Sequence, residues 1–481
     1  MTFSMFVHLL GKWMILFSTA LLPPLLIAAL YRDGEFGFFL TALLLNAGGG
    51  LLLSMLGSRN GFQLRLRDGF AVVTALWVVT SLIAAVNLAF SLHISFTDAV
   101  FEVVSALTTT GATVLSGLDS MPKSVLFFRQ ELQWLGGVGV IVSAVALLPM
   151  LGVGGMQLIK AETPGPFKSE KLTPRIAHTA MAVWKLYLAI TILCALAYWF
   201  AGMSLFDAVA HSFSTVSTGG FSTYDASFAQ FDSVLIEGIC IVFMLVGALN
   251  FGVHWAAWRS LSMNEYRRNE EVRVFLGIVL FAIVAVAGGL WLSGEQASLV
   301  RALRDSAFTV ASVITSTGFV TENFALWPSF LPIFLILISF VGGCGGSTAG
   351  GMKVIRIMIV AKAIRQQLFL LTHPRSVKPI RFNGQVVDER SLHGVMGFVA
   401  VYVAVVTVSV LLLRALGLDG VSAFSAVATC INNMGPGLGE VATTMQTIPA
   451  AAKWILSAVM LLGRLEIFTI LVLLTPGFWR G

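Results

Sequence analysis

The chain has 481 residues, of which 57% are apolar and only 11% charged, with a formal net charge of +6. A soluble domain carries about a quarter charged residues, so this composition excludes one and requires a membrane setting. The four cysteines, Cys194, Cys240, Cys344 and Cys430, lie scattered in apolar segments and spell neither a disulfide framework nor a zinc site.

Two apolar segments open the chain, at about 5–30 and 36–56. The first is too long for a secretory signal and lacks its small-residue cleavage site, so it reads as a retained helix. One plan then occurs four times. A full-length apolar segment (70–92, 179–201, 272–292 and 395–416) precedes a short one, and a second full-length segment (132–151, 235–255, 331–359 and 454–474) follows it. Each short segment runs from a helix-capping residue to a glycine 13 residues later: Asp98 to Gly111, Asp207 to Gly220, Asp305 to Gly318 and Ser422 to Gly435. A helix of that length rises at most about 20 Å, against roughly 30 Å of hydrocarbon. It enters the membrane and turns back. The expected fold is therefore an all-α integral membrane protein with ten crossings and four re-entrant pore helices. Its expected divisions are an N-terminal helix pair at 1–57 and pore repeats at 69–156, 178–258, 272–370 and 393–478.

Lysine and arginine placement orients this threading. Segments assigned to the cytoplasm hold 22 of the 30 basic residues, so both termini are expected inside and the short helices enter from outside. Each unit crosses twice, so successive repeats run parallel and surround one axial pathway, unlike the inverted repeats of many carriers. The basic loops lack interleaved aromatic residues and give no nucleic-acid signal.

The short helices end in TTTG, STGG, TSTG and NNMG. An ion leaving water needs replacement oxygens, which a ring of backbone carbonyls supplies. Glycine permits the conformations that aim carbonyls at one axis, and helix C-termini carry partial negative charge that favours a cation. Zincin, nucleophile-elbow and phosphate-loop motifs do not occur, so an enzyme is not expected.

The motifs FTDAVFEVVSALTTTGAT, FDAVAHSFSTVSTGGFST, ITSTGF, INNMGPGLG, GGCGGSTAGGMKVIR and GRLEIFT resemble the Trk/Ktr/HKT superfamily of potassium transporters, and within it the TrkH branch, over nearly the whole chain. The resemblance implies a pseudo-fourfold pore in each protomer, a homodimer, the bacterial inner membrane and a cytosolic nucleotide-binding partner of the TrkA type. That partner would carry the nucleotide (ATP/ADP or NAD(H)), and this chain no cofactor. The resemblance assigns potassium, the transported ion, to a filter of Thr109, Thr110, Gly111, Thr218, Gly219, Gly220, Ser316, Thr317, Gly318, Asn433, Met434 and Gly435. Glycine at all four filter positions goes with potassium preference in that family. The fourth repeat departs from the Ser/Thr-rich pattern with Asn432, Asn433 and Met434.

The segment after the third filter is interrupted by Gly342, Gly343, Gly345, Gly346, Gly350 and Gly351, with Ser347 and Thr348 between them. Each glycine destabilises a helix by roughly 1 kcal/mol, and broken backbone at membrane depth needs protein cover or a cavity. By the resemblance this loop, ending at Lys353, obstructs the pore, and close helix packing is the alternative. Arg464 lies in the corresponding part of the fourth unit. It is expected to repel cations and hold the loop, or else to be neutralised by Glu466 or loop carbonyls. Asn250, His254 and Glu237 are expected to join helices, Arg129 and Glu131 near the outer mouth either to tune local ion concentration or to form an exposed ion pair, and His211 to pack. The basic stretches 160–175 and 353–390 anchor topology and could dock the partner. The function expected is gated potassium uptake, with a sodium- or proton-coupled symporter as the alternative.

Overall fold

The structure is a computed structural model that describes residues 3–57, 66–147, 172–296, 298–328 and 330–480. It is almost wholly helical. The first apolar run is α1 (Phe3–Ser18) and α2 (Leu22–Tyr31) joined by a 3₁₀ turn, and α3 (Phe36–Leu56) follows. In the glycine run at 48–50, Gly50 serves packing. A methyl on Gly50 would crowd Ile15 and the backbone of Gly11, which explains how closely α1 and α3 cross.

Four long apolar helices lead into the short ones: α4 (Leu66–Leu92), α7 (Leu172–Phe200), α12 (Glu270–Leu292) and α16 (Glu389–Ala415). The short helices are α5 (Phe96–Leu107), α8 (Leu205–Val216), α13 (Leu299–Ile314) and α17 (Gly420–Ile431). From its second turn onward α5 is buried on every side, as is most of the other three, while the long helices turn leucine and phenylalanine outward. A helix apolar all round belongs in the centre of a bundle.

The caps lie earlier than the sequence suggested. Ser95, Ser204, Ser298 and Asp419 cap the four helices, not Asp98, Asp207, Asp305 and Ser422. Ser204 Oγ accepts from the Asp207 amide at 3.1 Å and donates to Asp207 Oδ2 at 2.6 Å, and Ser95 and Asp98 repeat the pair. The aspartates are thus the third helical residues of capping boxes. Asp305 lies farther along a longer helix, seven residues beyond Ser298. Asp419, exposed, accepts from Val421 and Ser422, and hydrogen bonding from Ser422 holds its carboxyl below the usual range. Ser204→Ala is expected to cost about 1 kcal/mol, read as a lower melting temperature in detergent.

Six helices among the described residues are long and apolar enough to cross a membrane, against ten crossings expected. Two others are bent. The segment expected at 235–255 is α9 (Val234–Ala248) and α10 (Phe251–Ser260), at 99°; that expected at 454–474 is α18 (Ala450–Arg464) and α19 (Ile467–Leu471), the break there being 111°. The third is α14 (Leu331–Ser339) and α15 (Val354–Thr372), interrupted by the glycine loop as expected. Only α6 (Lys123–Leu147), after the first short helix, continues unbroken through its described length. Glycines bring these helices against the short ones. A methyl on Gly136 would overlap the Leu107 carbonyl, one on Gly463 the Ile431 carbonyl, and one on Gly247 would press on Val216 O at 3.0 Å. Each of those carbonyls belongs to the last residue of a short helix.

A two-stranded hairpin (Arg381–Phe382 with Gln385–Val386) stands within the basic stretch 353–390, the only strand pair among the described residues. The stretch 160–175 falls almost wholly outside the described residues.

Candidate ion-conduction site

The four short helices end in the same way. Residues Thr109, Thr218, Ser316 and Asn433 have φ of 52°, 54°, 55° and 53°, in the left-handed region. The amide just after each donates five residues back: Thr110 to Ser105 O, Gly219 to Ser214 O, Thr317 to Ser312 O and Met434 to Thr429 O, all at 2.7–2.8 Å. This is a Schellman termination with a side chain where glycine is usual. Each such residue costs about 1 kcal/mol of backbone strain, and its repetition in all four segments marks a shared constraint. Two residues later Gly111, Gly220, Gly318 and Gly435 have φ of 80°, 81°, 82° and 94°.

These segments pack head to side in a closed ring. A methyl on Gly111 would overlap the Gly219 carbonyl oxygen; one on Gly220 would overlap Thr317 O; one on Gly318, Met434 O. A methyl on Gly435 would lie 2.9 Å from Thr110 O, which closes the circle. Among the described residues no hydrogen bond reaches the carbonyls of the four glycines, or of Thr110, Thr317 and Met434. A ring of uncommitted carbonyl oxygens at the C-termini of four helices is an electronegative site suited to a bare cation.

Side chains brace the ring from behind. Glu102, fully buried, accepts from Thr113 Oγ1 at 2.9 Å, from the Val114 amide at 2.9 Å and from Arg129 Nε at 2.9 Å. Arg129 in turn lies over the Phe221 ring, 4.1 Å from its centroid. The exposed Arg129–Glu131 pair expected from sequence is thus corrected: Arg129 pairs inside with Glu102, and Glu131 is itself buried. His211 is fully buried, bonded to Asp207 O and Ser222 Oγ and enclosed by Phe228, Phe231 and Phe319, so it packs as expected. Asn432 bonds the hydroxyls of Tyr402 and Ser339.

Of the three residues expected to join helices, Glu237 and His254 do, Glu237 accepting from Arg304 at 2.7 and 2.8 Å. His254 bonds Val246 O across the bend and the Tyr266 hydroxyl. Asn250 caps α10 through the Gly252 amide at 2.7 Å and lies beside Gly346.

The glycine loop lies directly beneath the ring. Gly350 N donates to Ser316 Oγ at 2.5 Å, Thr348 Oγ1 meets Thr218 Oγ1 at 3.2 Å, and a methyl on Gly350 would overlap Asn432 O. The bent α9 holds the loop from one side: Cys344 N donates to Ala248 O, Thr348 N to Gly247 O, and Phe251 N to Gly346 O. The break at 248–250 thus exists to expose carbonyls and an amide that the loop needs. Gly343 packs against Ala349 and Ser347, and Ser347 Oγ donates to Cys344 O at 2.6 Å. Lys353, in the left-handed region at φ 73°, donates to Ala349 O.

Arg464 reaches in from the end of α18, donating to Thr348 O at 2.6 Å and Gly136 O at 3.4 Å. It is 5% exposed, and Glu466, offered by sequence as its neutraliser, pairs with Arg356 instead. Sequence reasoning passed over Glu271 altogether. This buried carboxylate in the first turn of α12 accepts from Gly345 N at 2.7 Å and Ile355 N at 3.1 Å, fastening both ends of the loop. Glu271→Ala is expected to raise basal cation uptake about fivefold, measured as rubidium-86 uptake into proteoliposomes.

The family model for TrkH, described as a cation transport protein, matches residues 37–477. The chain belongs to the TrkH family. It is 46% identical over 482 residues to the Trk system potassium uptake protein TrkH of Salmonella typhimurium, covering all of both chains. It is 39% identical to TrkG of Escherichia coli over 98% of each. The crystal structure of the potassium transporter TrkH from Vibrio parahaemolyticus superposes with a TM-score of 0.93 at 45% identity, covering 100% of each chain. The almost wholly helical architecture is shared with that structure, and family membership places the chain among cation transporters, not enzymes.

Proposed function

We propose that this chain is the potassium-translocating subunit of a Trk uptake system in the bacterial inner membrane, with both termini in the cytoplasm. The observation that carries the reading is the closed ring in which four left-handed residues and four glycines pack segment against segment, with carbonyls that no hydrogen bond among the described residues engages. Residues 109–111, 218–220, 316–318 and 433–435 form the filter of four pore repeats at 69–156, 178–258, 272–370 and 393–478. Gly343, Gly345, Gly346, Ser347, Thr348, Gly350, Lys353 and Arg464 form the gate below it. What supports the gate is the loop's contact with the underside of the ring at Thr218, Ser316 and Asn432. The chain works as a homodimer, and a TrkA-type nucleotide-binding subunit moves the loop from the cytosolic side. The relatives' names, which state potassium uptake, support the choice of ion.

The test is rubidium-86 uptake into potassium-loaded proteoliposomes. External potassium is expected to block uptake and external sodium not to. Uptake that appears only with a sodium or proton gradient would overturn the passive-pore reading in favour of a symporter.

A further inference from the structure

The four filter segments are not braced alike. In the first, Thr108 and Thr110 join hydroxyls at 2.8 Å, and in the third Thr315 and Thr317 do so at 2.7 Å. In the fourth the Met434 side chain is buried and Asn433 Nδ2 donates to Met460 O at 3.1 Å. The second has Gly219 at the corresponding position and so has no side chain of its own there. Gln133 of α6 fills that space. A methyl on Gly219 would lie 2.5 Å from both Gln133 Cδ and Oε1. The carboxamide of Gln133 donates from Nε2 to Gly219 O at 2.6 Å and accepts from Phe221 N at 3.1 Å through Oε1. One planar group therefore spans both sides of Gly220. Gln130, one turn earlier, adds a bond from Nε2 to Phe221 O at 3.0 Å. Both glutamines are fully buried.

We infer that Gln133 is a positioning residue that sets ion discrimination, acting as the missing side chain of the second filter segment. Two adjacent glycines, Gly219 and Gly220, have more conformational freedom than any other pair in the ring. Left unbraced, that quarter of the ring closes onto a smaller ion, and discrimination by cavity size or ligand field weakens. The bidentate amide removes this freedom. It also fixes the Gly219 oxygen against Gly111, so the first and second segments are held as one piece. The inference rests on the reading of the ring as the ion filter.

The test compares Gln133→Leu and Gln133→Met with the unaltered protein, with Gly111→Ser alongside, in rubidium-86 uptake titrated with external potassium and sodium. Both replacements keep volume near that of glutamine and make no hydrogen bonds. The ratio of sodium to potassium needed for half-block is expected to fall about tenfold. A folded variant with the unaltered ratio would overturn the inference, as would uptake reduced equally for all ions. Failure of both variants to elute as folded protein would make Gln133 a residue of the fold and overturn it too. If Gly111→Ser also leaves the ratio unchanged, the filter reading itself falls. If Gly111→Ser shifts the ratio and both Gln133 variants do not, only the role of Gln133 falls.

Discussion

Gly111→Ser, Gly220→Ser and Gly318→Ser proteins are each expected to lose about thirtyfold of their preference for potassium over sodium, whereas Gly435→Ser loses about threefold. The conformational penalty is common to all four, since every one of these glycines has φ between 80° and 94°. The steric penalty is not. At the first three positions a Cβ would lie 1.8–2.3 Å from a neighbouring carbonyl oxygen, so the oxygen must leave its place; at Gly435 the nearest atoms, Gly111 C and Thr110 O, stand 2.9 Å away, so the backbone there must also move, but by less. At Gly111 the oxygen in the way is the one Gln133 pins. The measurement is the competition of sodium and potassium against rubidium-86 uptake for the four variants side by side. Equal losses at all four positions would show that backbone conformation alone decides selectivity, and the ring-packing account would fail.

The same filter segments show what sequence could and could not reveal. The fourfold recurrence and the four glycines were legible because spacing survives in one dimension. The termination that precedes each glycine was hidden. Schellman ends advertise themselves by glycine in the left-handed position, and here that position holds Thr109, Thr218, Ser316 and Asn433. The caps were misplaced by three residues at Asp98, Asp207 and Ser422, since aspartate and serine both suit a cap and two such residues stand three apart at each of these helix starts. The preceding Ser-x-x-Asp at 95–98 and 204–207 was the signal available for a capping box.

The bracing residues had no signal at all. Glu102, Gln133 and Glu271 each sit in an apolar helix, and Gln133 and Glu271 meet partners 74 to 88 residues away. Only the fold brings them there. The bends at 248–250 and after Arg464 escaped notice for a related reason. Neither contains proline; the first opens where the glycine loop supplies backbone hydrogen bonds that a straight helix would have kept internal, and at the second the Arg464 side chain reaches the loop's Thr348 carbonyl. The glycine loop itself was legible, since so many glycines have no use within a helix.

Arg464→Ala is expected to raise basal cation flux about a hundredfold in the absence of any partner subunit. The guanidinium is buried, has no carboxylate partner among the described residues, and is satisfied chiefly by the carbonyl of Thr348, the loop residue whose hydroxyl touches Thr218. In the proposed gate its charge would oppose a cation arriving from the ring above, and its hydrogen bond to Thr348 O would hold the loop against that ring. Both effects would close the path, and alanine removes both. Arg464→Lys separates them, because lysine keeps the charge but is a compact donor without the planar fork. A lysine variant as tight as the unaltered protein assigns closure to charge, and one as leaky as alanine assigns it to the bond with Thr348. An alanine variant that folds, elutes as the unaltered protein does and conducts no faster would remove Arg464 from the gate. Closure would then rest on the loop's own anchors, Glu271 to Gly345 and Ser316 to Gly350.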